Sequence, residues 1–328
     1  MLILNAAEVR QALPMAECIE AMKRAYAALS AGKAEVPLRM RLPVTPNSGL
    51  TIFMPAFVDD AEGQALAVKI VSLFDKNPER GLPFIHAGVL VLNAETGAAE
   101  ALLEGSSLTA IRTGAGAGAA TDVLARKDAK TVAIFGAGVQ ARTQLMAACE
   151  VRDIETVWVY DSNPAQVNKF IAEMMSQGRT PRTVRAAHNS TEAVLEADII
   201  CTATTSKVPV FIDSDLKPGV HINGVGSYTL DMQEIPTETV ARSRVTVDSR
   251  NAALVESGDI ANPLKKGKLK ETTITEIGEV ISGKQPGRSS SDQITIFKSV
   301  GVAVQDAMAA QLAVQNARKL GLGTEVAW

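Results

Sequence analysis

The sequence predicts an α/β fold: a doubly wound parallel sheet joined to an N-terminal α+β domain that the last helix completes. Three observations carry this prediction. From Lys130 onward, short apolar strands alternate with helical stretches, the rhythm of parallel strands linked by crossover helices. Ahead of that point, five extended segments follow one another with only turn signals between them, which implies an antiparallel sheet. At the junction between Phe135 and Val139 an apolar strand turns through Gly136 and Gly138 into a helix, and such a turn gathers backbone N–H groups and a positive helix end at one place.

Taken in order, residues 14–31 carry apolar side chains at helical spacing (Met15, Cys18, Ile19, Met22, Tyr26 and Leu29), with Gly32 as the stop. The period then becomes two, and strands are expected over 37–44, 50–57, 65–74, 84–92 and 99–103. Turn signals at 46–49, 59–63, 77–78 and 93–97 separate them. Lys69 sits in a strand whose two faces are otherwise apolar. An unpaired ammonium there is costly, so the lysine must snorkel, find a partner or serve a ligand. Arg39 and Arg41 alternate and share one face, and a solvated sheet face accounts for Arg39. A helix is expected over 107–124 although Gly114, Gly116 and Gly118 each cost about 1 kcal/mol relative to alanine. Three glycines among alanines imply close approach of another backbone. Arg112, just ahead of them, suits a pocket at least as well as the surface.

Beyond Lys130 the first strand, 131–135, leads into the glycine turn, and the second ends in Asp161. An acid at that place takes both ribose hydroxyls of an adenosine and repels a 2′-phosphate, so NAD is expected ahead of NADP. Ala141 fills the slot of the third glycine, and Gly-X-Gly by itself is equally an ordinary tight turn; the strand before, the helix after and the acid beyond favour the dinucleotide. A helix over 164–177, strands over 183–187, 198–204, 221–226 and 244–248, and a short helix opening near Ser190 follow. In a parallel sheet the strand C-termini face the ligand crevice, which puts Thr202, Thr204, Gly226 and Ser227 on the cofactor side, although strand propensity alone also explains the two threonines. A last strand precedes Ser299, which is placed to cap a long Ala/Val-rich helix ending near Gly321.

Composition bounds the rest. The 328 residues suffice for two domains, and a net charge of −3 gives no support to a nucleic-acid-binding surface. Lys265, Lys266, Lys268 and Lys270 read as a solvated loop. Cys18, Cys149 and Cys201 have no metal-ligand spacing, so inert thiols and no metal are expected. The first residues lack a basic leader pattern and no apolar run approaches a membrane span, so a cytoplasmic protein is expected.

Nearly the whole chain resembles the ornithine cyclodeaminase/μ-crystallin family. The resemblance rests on Lys69 in its apolar strand, Asn77-Pro-Glu-Arg-Gly-Leu-Pro83, Leu108-Thr-Ala-Ile-Arg-Thr-Gly114, Gly136-Ala-Gly-Val-Gln-Ala141, Thr202-Ala-Thr204, Val225-Gly-Ser227 and Ile294-Thr-Ile-Phe-Lys-Ser-Val-Gly301. It implies a homodimer built through an N-terminal substrate-binding domain (residues 1–115 with 304–328) and a Rossmann-type NAD(P)-binding domain (116–303). It further implies that Arg41, Lys69 and Arg112 grip a substrate carboxylate, that Lys69 and Tyr228 are catalytic, and that Arg112, Gly136, Gly138, Val139, Gln140, Asp161, Thr202, Val225, Gly226 and Ser299 contact the cofactor. The cyclodeaminases and a related archaeal alanine dehydrogenase carry an aspartate three residues after the valine of Val-Gly; here that place is Tyr228. The segment is more similar to the ketimine-reductase branch, in which Asp231 and Glu234 have counterparts. A tyrosine with a pKa near about 10 is a poor general base at neutral pH. The resemblance therefore implies reduction of a cyclic imino acid such as Δ1-pyrroline-2-carboxylate. Ornithine cyclodeamination, amino acid dehydrogenation and a crystallin-like binding role stand as alternatives, the last disfavoured by three retained cations.

Overall fold

The computed structural model describes residues 1–176, 181 and 183–328, and the chain divides into two compact units, Met1–Arg112 with Val302–Trp328 and Thr113–Gly301. The first unit opens with β1 (Leu2–Leu4) and α1 (Ala6–Ala12), whose signal in the sequence is a capping box. The Asn5 side chain accepts the Ala7 and Glu8 N–H groups while Glu8 reaches back to the Asn5 N–H. Next come α2 (Met15–Ser30), β2 (Ala34–Glu35), β3 (Met40–Val44), β4 (Gly49–Asp60), β5 (Gly63–Phe74), β6 (Ile85–Leu92) and β7 (Ala99–Glu104). β3 is shorter than the pattern predicts. β4 and β5 are longer, because they pair without a break from Gly49↔Phe74 to Asp60↔Gly63 around a two-residue turn.

Helix α3 (Gly105–Leu124) carries the chain into the second unit. There the order is β8 (Thr131–Phe135), α4 (Val139–Val151), β9 (Thr156–Tyr160), α5 (Pro164–Ser176), β10 (Thr183–Ala186), α6 (Ser190–Val194), β11 (Ile199–Thr202), β12 (His221–Gly224), α7 (Thr237–Arg242), β13 (Arg244–Val247), α8 (Arg250–Glu256), α9 (Gly258–Lys265), β14 (Thr275–Glu276), α10 (Ile277–Ile281) and β15 (Thr295–Lys298). Gln177, the last residue of the predicted helix 164–177, lies outside the described residues. The strands form one parallel sheet in the order β10-β9-β8-β11-β12-β15-β13-β14. Successive side chains of β8 feed opposite cores, Val132 and Ile134 one and Ala133 and Phe135 the other, so both faces are covered and the strand reads as a continuous apolar run. The chain leaves β8 toward β9 on one side and reaches β11 on the other. That reversal opens a crevice at the strand C-termini.

The expected close approach is present at Gly114: a Cβ there would lie 2.4 Å from the Thr143 carbonyl oxygen on α4. The thiols of Cys18 and Cys201 are buried, and burial pushes each up to about 12.

The chain returns to the first unit through α11 (Ala303–Leu320) and β16 (Thr324–Glu325). Ser299 does not cap α11 as the pattern predicts. The N-cap is Val302, and the Ser299 hydroxyl donates instead to Asp248 Oδ2 at 2.7 Å. The first unit's sheet runs β16-β1-β7-β6-β5-β4-β2, with β3 also pairing β4. Its inner face (Ile52, Met54, Ala67, Val89 and Leu103 among others) is buried beneath α2 and α11. Residues of the opposite face remain open: Met40, Leu42, Ile70 and Leu102 are 60, 53, 40 and 40% exposed.

Candidate functional site

In the second unit the chain leaves β8 through Gly136 at φ +87, where a Cβ would also meet the Ala203 carbonyl oxygen at 2.7 Å; only glycine satisfies both conditions. A Cβ on Gly138 would meet nothing within 4 Å, because this residue faces open space. Gly138 starts α4 without a side-chain cap, so among the described residues no capping side chain accepts the first-turn N–H groups. Beside them lies a cleft of about 650 Å³ lined by Phe135, Gly136, Gly138, Asp161 and Thr204 among others. The Asp161 carboxylate is fixed there: it accepts the Ala137 N–H through Oδ2 and the Asn163 N–H through Oδ1, both at 2.8 Å. Val139 is 66% exposed, and the buried Oε1 of Gln140 has no protein donor among the described residues. Ala141, in the slot of the third glycine, is fully buried. Arg142, which the motif did not single out, secures the loop from behind. Its guanidinium donates to the Ala137 and Gly138 carbonyl oxygens at 2.8 and 2.7 Å and to Glu173 at 2.6 Å.

The far rim of the cleft is built on Glu234. This fully buried carboxylate accepts five hydrogen bonds: from the Thr202 hydroxyl (3.0 Å), the Thr204 N–H and hydroxyl (2.7 and 2.8 Å), and the Gly226 and Ser227 N–H groups (2.8 and 3.0 Å). Thr202 is itself fully buried, so its hydroxyl serves Glu234. Gly226 admits no side chain, since a Cβ would stand 2.2 Å from the Thr204 carbonyl oxygen. Val225 donates its N–H to the Thr202 carbonyl oxygen, which ties the ends of β11 and β12 together. Beneath this, Asp259 accepts the Glu234 and Ile235 N–H groups and pairs with Lys298 at 3.2 Å, both side chains fully buried. Burial pushes the Glu234 carboxyl up, against the pull of Lys298. Tyr228, on the loop that Glu234 anchors, is 37% exposed.

The first unit holds the cations. Lys69 lies on the inner sheet face, 3% exposed, with its Nζ 2.7 Å from Asp306 Oδ2. Arg112 Nε donates to the other oxygen, Oδ1, at 2.9 Å, and Nη1 donates to Gln305 Oε1 at 3.0 Å. Gln305 is oriented in turn by donating to the Tyr26 hydroxyl at 2.7 Å. Burial lowers the Lys69 pKa to about 8; Asp306 opposes that shift, and Arg112 and Arg39 add to it. Burial raises the Asp306 carboxyl, but Arg112 and Lys69 outweigh it and hold the group below the ordinary range.

Of the predicted trio, the structure brings Lys69 and Arg112 together, whereas Arg41 stands exposed on β3. It is the half-buried Arg39, assigned from the pattern to a solvated face, whose charge reaches Lys69. Asp306 was not foreseen; its only trace in the sequence is a lone acid in the first turn of an Ala/Val-rich helix. Among the described residues, no cluster of His, Cys, Asp or Glu is placed to hold a metal ion, and no helix is long and apolar enough to cross a membrane.

The parallel sheet, its switch-point cleft and the glycine turn define a Rossmann-type protein. The chain belongs to the ornithine cyclodeaminase/mu-crystallin family, which it matches over residues 1–320. It is 39% identical over 328 residues to a Delta(1)-pyrroline-2-carboxylate reductase of Bacillus cereus, covering 99% of each chain. Among solved structures it is similar to the Delta(1)-pyrroline-2-carboxylate reductase of Thermococcus litoralis in complex with NADH and L-proline, with a TM-score of 0.93, 45% identity and coverage of 99% of this chain and 100% of that one. An archaeal alanine dehydrogenase dimer with bound NAD matches with a TM-score of 0.91 and 31% identity over 100% and 99% of the two chains.

Glu234→Gln tests the rim. The amide must turn its NH2 toward backbone N–H groups, since Thr204 faces one oxygen and Gly226 and Ser227 the other. Chemical denaturation is expected to show a loss of about 2 kcal/mol or more, and an unchanged midpoint would exclude this role.

Proposed function

We propose that this protein reduces a cyclic imino acid such as Δ1-pyrroline-2-carboxylate to the corresponding amino acid, with NADH preferred to NADPH, in a reducing cytoplasm where its three cysteines stay unpaired. The observation that carries this reading is the sharing of one carboxylate, Asp306, by two buried cations, Lys69 and Arg112. Two positive charges against one negative leave one positive charge uncompensated inside the protein. A substrate with one carboxylate neutralises it, and Arg112 adds the planar fork that suits that group. Arg39 adds positive charge from the segment before β3, and Arg41 follows it, exposed, on β3 itself. The likeness to pyrroline-2-carboxylate reductases supports the substrate class.

The second unit fits a dinucleotide. The uncapped first turn of α4 and the open side of Gly138 suit a pyrophosphate, and Asp161 retains lone pairs for ribose hydroxyls. Gly136, Val139, Gln140 and Gly226 complete the proposed cofactor contacts, with Thr202 and Ser299 acting through Glu234 and Asp248. When bound, the dinucleotide supplies the hydride. Lys69, with its pKa near 8, holds a proton at Nζ that the imine nitrogen requires as it becomes an amine. Reduction needs no strong base at position 228, which agrees with Tyr228 standing there. The first unit is then the substrate domain and the second the cofactor domain.

The first unit also supports a homodimer. Its outer sheet face carries Phe53, Val68, Ile70, Leu90 and Leu102 side by side across β4, β5, β6 and β7, a contiguous apolar surface of the kind that marks a contact with another chain. Sedimentation is expected to give twice the 34.6 kDa chain mass, and a monomer at micromolar concentration would refute this.

The activity is tested by NADH oxidation with Δ1-pyrroline-2-carboxylate, expected to form proline. Incubation with ornithine and catalytic NAD should release no ammonia; efficient release would transfer the reading to a cyclodeaminase. Asp161→Ser should raise the NADPH-to-NADH ratio of kcat/KM by roughly tenfold, the effect of about 1.4 kcal/mol. A wild type that prefers NADPH would overturn the assignment of Asp161.

A further inference from the structure

The Lys69–Arg112 pair depends on a group on a distant part of the chain. Asp306 reaches it from the first turn of α11, and its two oxygens are divided between the cations, Oδ2 at 2.7 Å from Lys69 Nζ and Oδ1 at 2.9 Å from Arg112 Nε. All three side chains are buried. The neighbouring Gln305 takes Arg112 Nη1 as well as the Val302 N–H on its Oε1, at 3.0 Å each, so the guanidinium plane is fixed at two points by consecutive residues of one helix. We propose that Asp306 is a positioning residue of the substrate site: it sets the ammonium and the guanidinium at one spacing and cancels one of their two charges, leaving a single positive charge for a substrate carboxylate. This inference rests on the imino-acid reading of the site.

The charges around Lys69 show why the role falls to Asp306. From α3 comes Arg112, from the segment before β3 comes Arg39, and α2 contributes Cys18, close to Arg112, and Tyr26, through Gln305. Burial and both arginines push Lys69 toward its neutral form, and among these groups Asp306 alone opposes them. With a neutral side chain at position 306, the ammonium faces desolvation and two guanidiniums without a counter-ion, and it loses its proton at lower pH. A lowered lysine pKa means that the protonated form is complete below that pKa and is lost as pH rises through it. Reduction that requires the protonated lysine therefore falls on the alkaline side, and removing Asp306 moves that fall toward acid.

The experiment is the pH profile of kcat/KM for imine reduction by wild type, Asp306→Asn and Asp306→Glu. The alkaline limb of Asp306→Asn is expected to move toward acid by at least about one pH unit, with a loss of roughly fivefold or more near pH 8 that shrinks near pH 6. Asp306→Glu keeps the charge and shifts its place, so its limb should stay at the wild-type position while kcat/KM falls at every pH. A packing role alone would lower the whole profile of Asp306→Asn and leave its limb where it was, which overturns the inference. If Asp306→Asn does not fold, a folded Asp306→Glu with wild-type kcat/KM overturns it equally. A wild type that reduces no imino acid defeats the functional reading itself, a result separate from either of these.

Discussion

Carboxylates taken out of water hold the working parts of this protein in place. A buried carboxylate must collect donors or cations, and the elements that supply them are thereby fixed to one another. In the second unit Glu234 collects five donors from the last residue of β11 and the segments that follow β11 and β12, and Asp248 gathers Ser299, Val300 and Gly301. In the first unit Asp306 collects Lys69 and Arg112. Asp306 joins side chains of the regular elements β5 and α3, but the second-unit segments beyond β11, β12 and β15 are irregular, and a ladder of backbone hydrogen bonds is not there to shape them. The carboxylates do that instead.

The two classes of buried acid have different consequences. Glu234 and Asp248 receive mostly backbone N–H groups and hydroxyls, and burial pushes both carboxyls up. Asp306 faces two full positive charges and is held down, so it stays ionised while its partner Lys69 is drawn toward neutrality. A lysine poised near pH 8 is able both to attract an anion and to release a proton, whereas an exposed lysine does only the first. The same burial that would be a liability for stability is what gives Lys69 its proposed chemistry.

Glycines act where carboxylates do not. Gly136 allows the strand to turn at positive φ against the Ala203 carbonyl, Gly226 lets the β12 loop touch Thr204, and Gly114 lets α3 approach α4. Each is a contact between backbones that a methyl group would prevent. The side of Gly138, by contrast, meets nothing, so no contact within the protein requires the missing side chain there.

The sequence by itself determined the alternation of strands and helices, the glycine turn with Asp161 beyond it, and the oddity of Lys69, because each is written in neighbouring residues through a period, a turn preference or a burial cost. Strand ends were less legible: β4 and β5 outrun their apolar pattern because the hairpin ladder continues through Asp59, Asp60 and Gly63. Only the tertiary structure decided which cations meet. Arg39 and Arg41 share a strand face, and nothing local separates the half-buried one from the exposed one; that depends on which end of β3 lies toward Lys69. Asp306 is separated from Arg112 by the whole second unit in sequence, yet α11 returns to place the two 2.9 Å apart. Local propensity has no term for a partner that distant, since charge pairing is decided by position in space and by the loss of water around both ions.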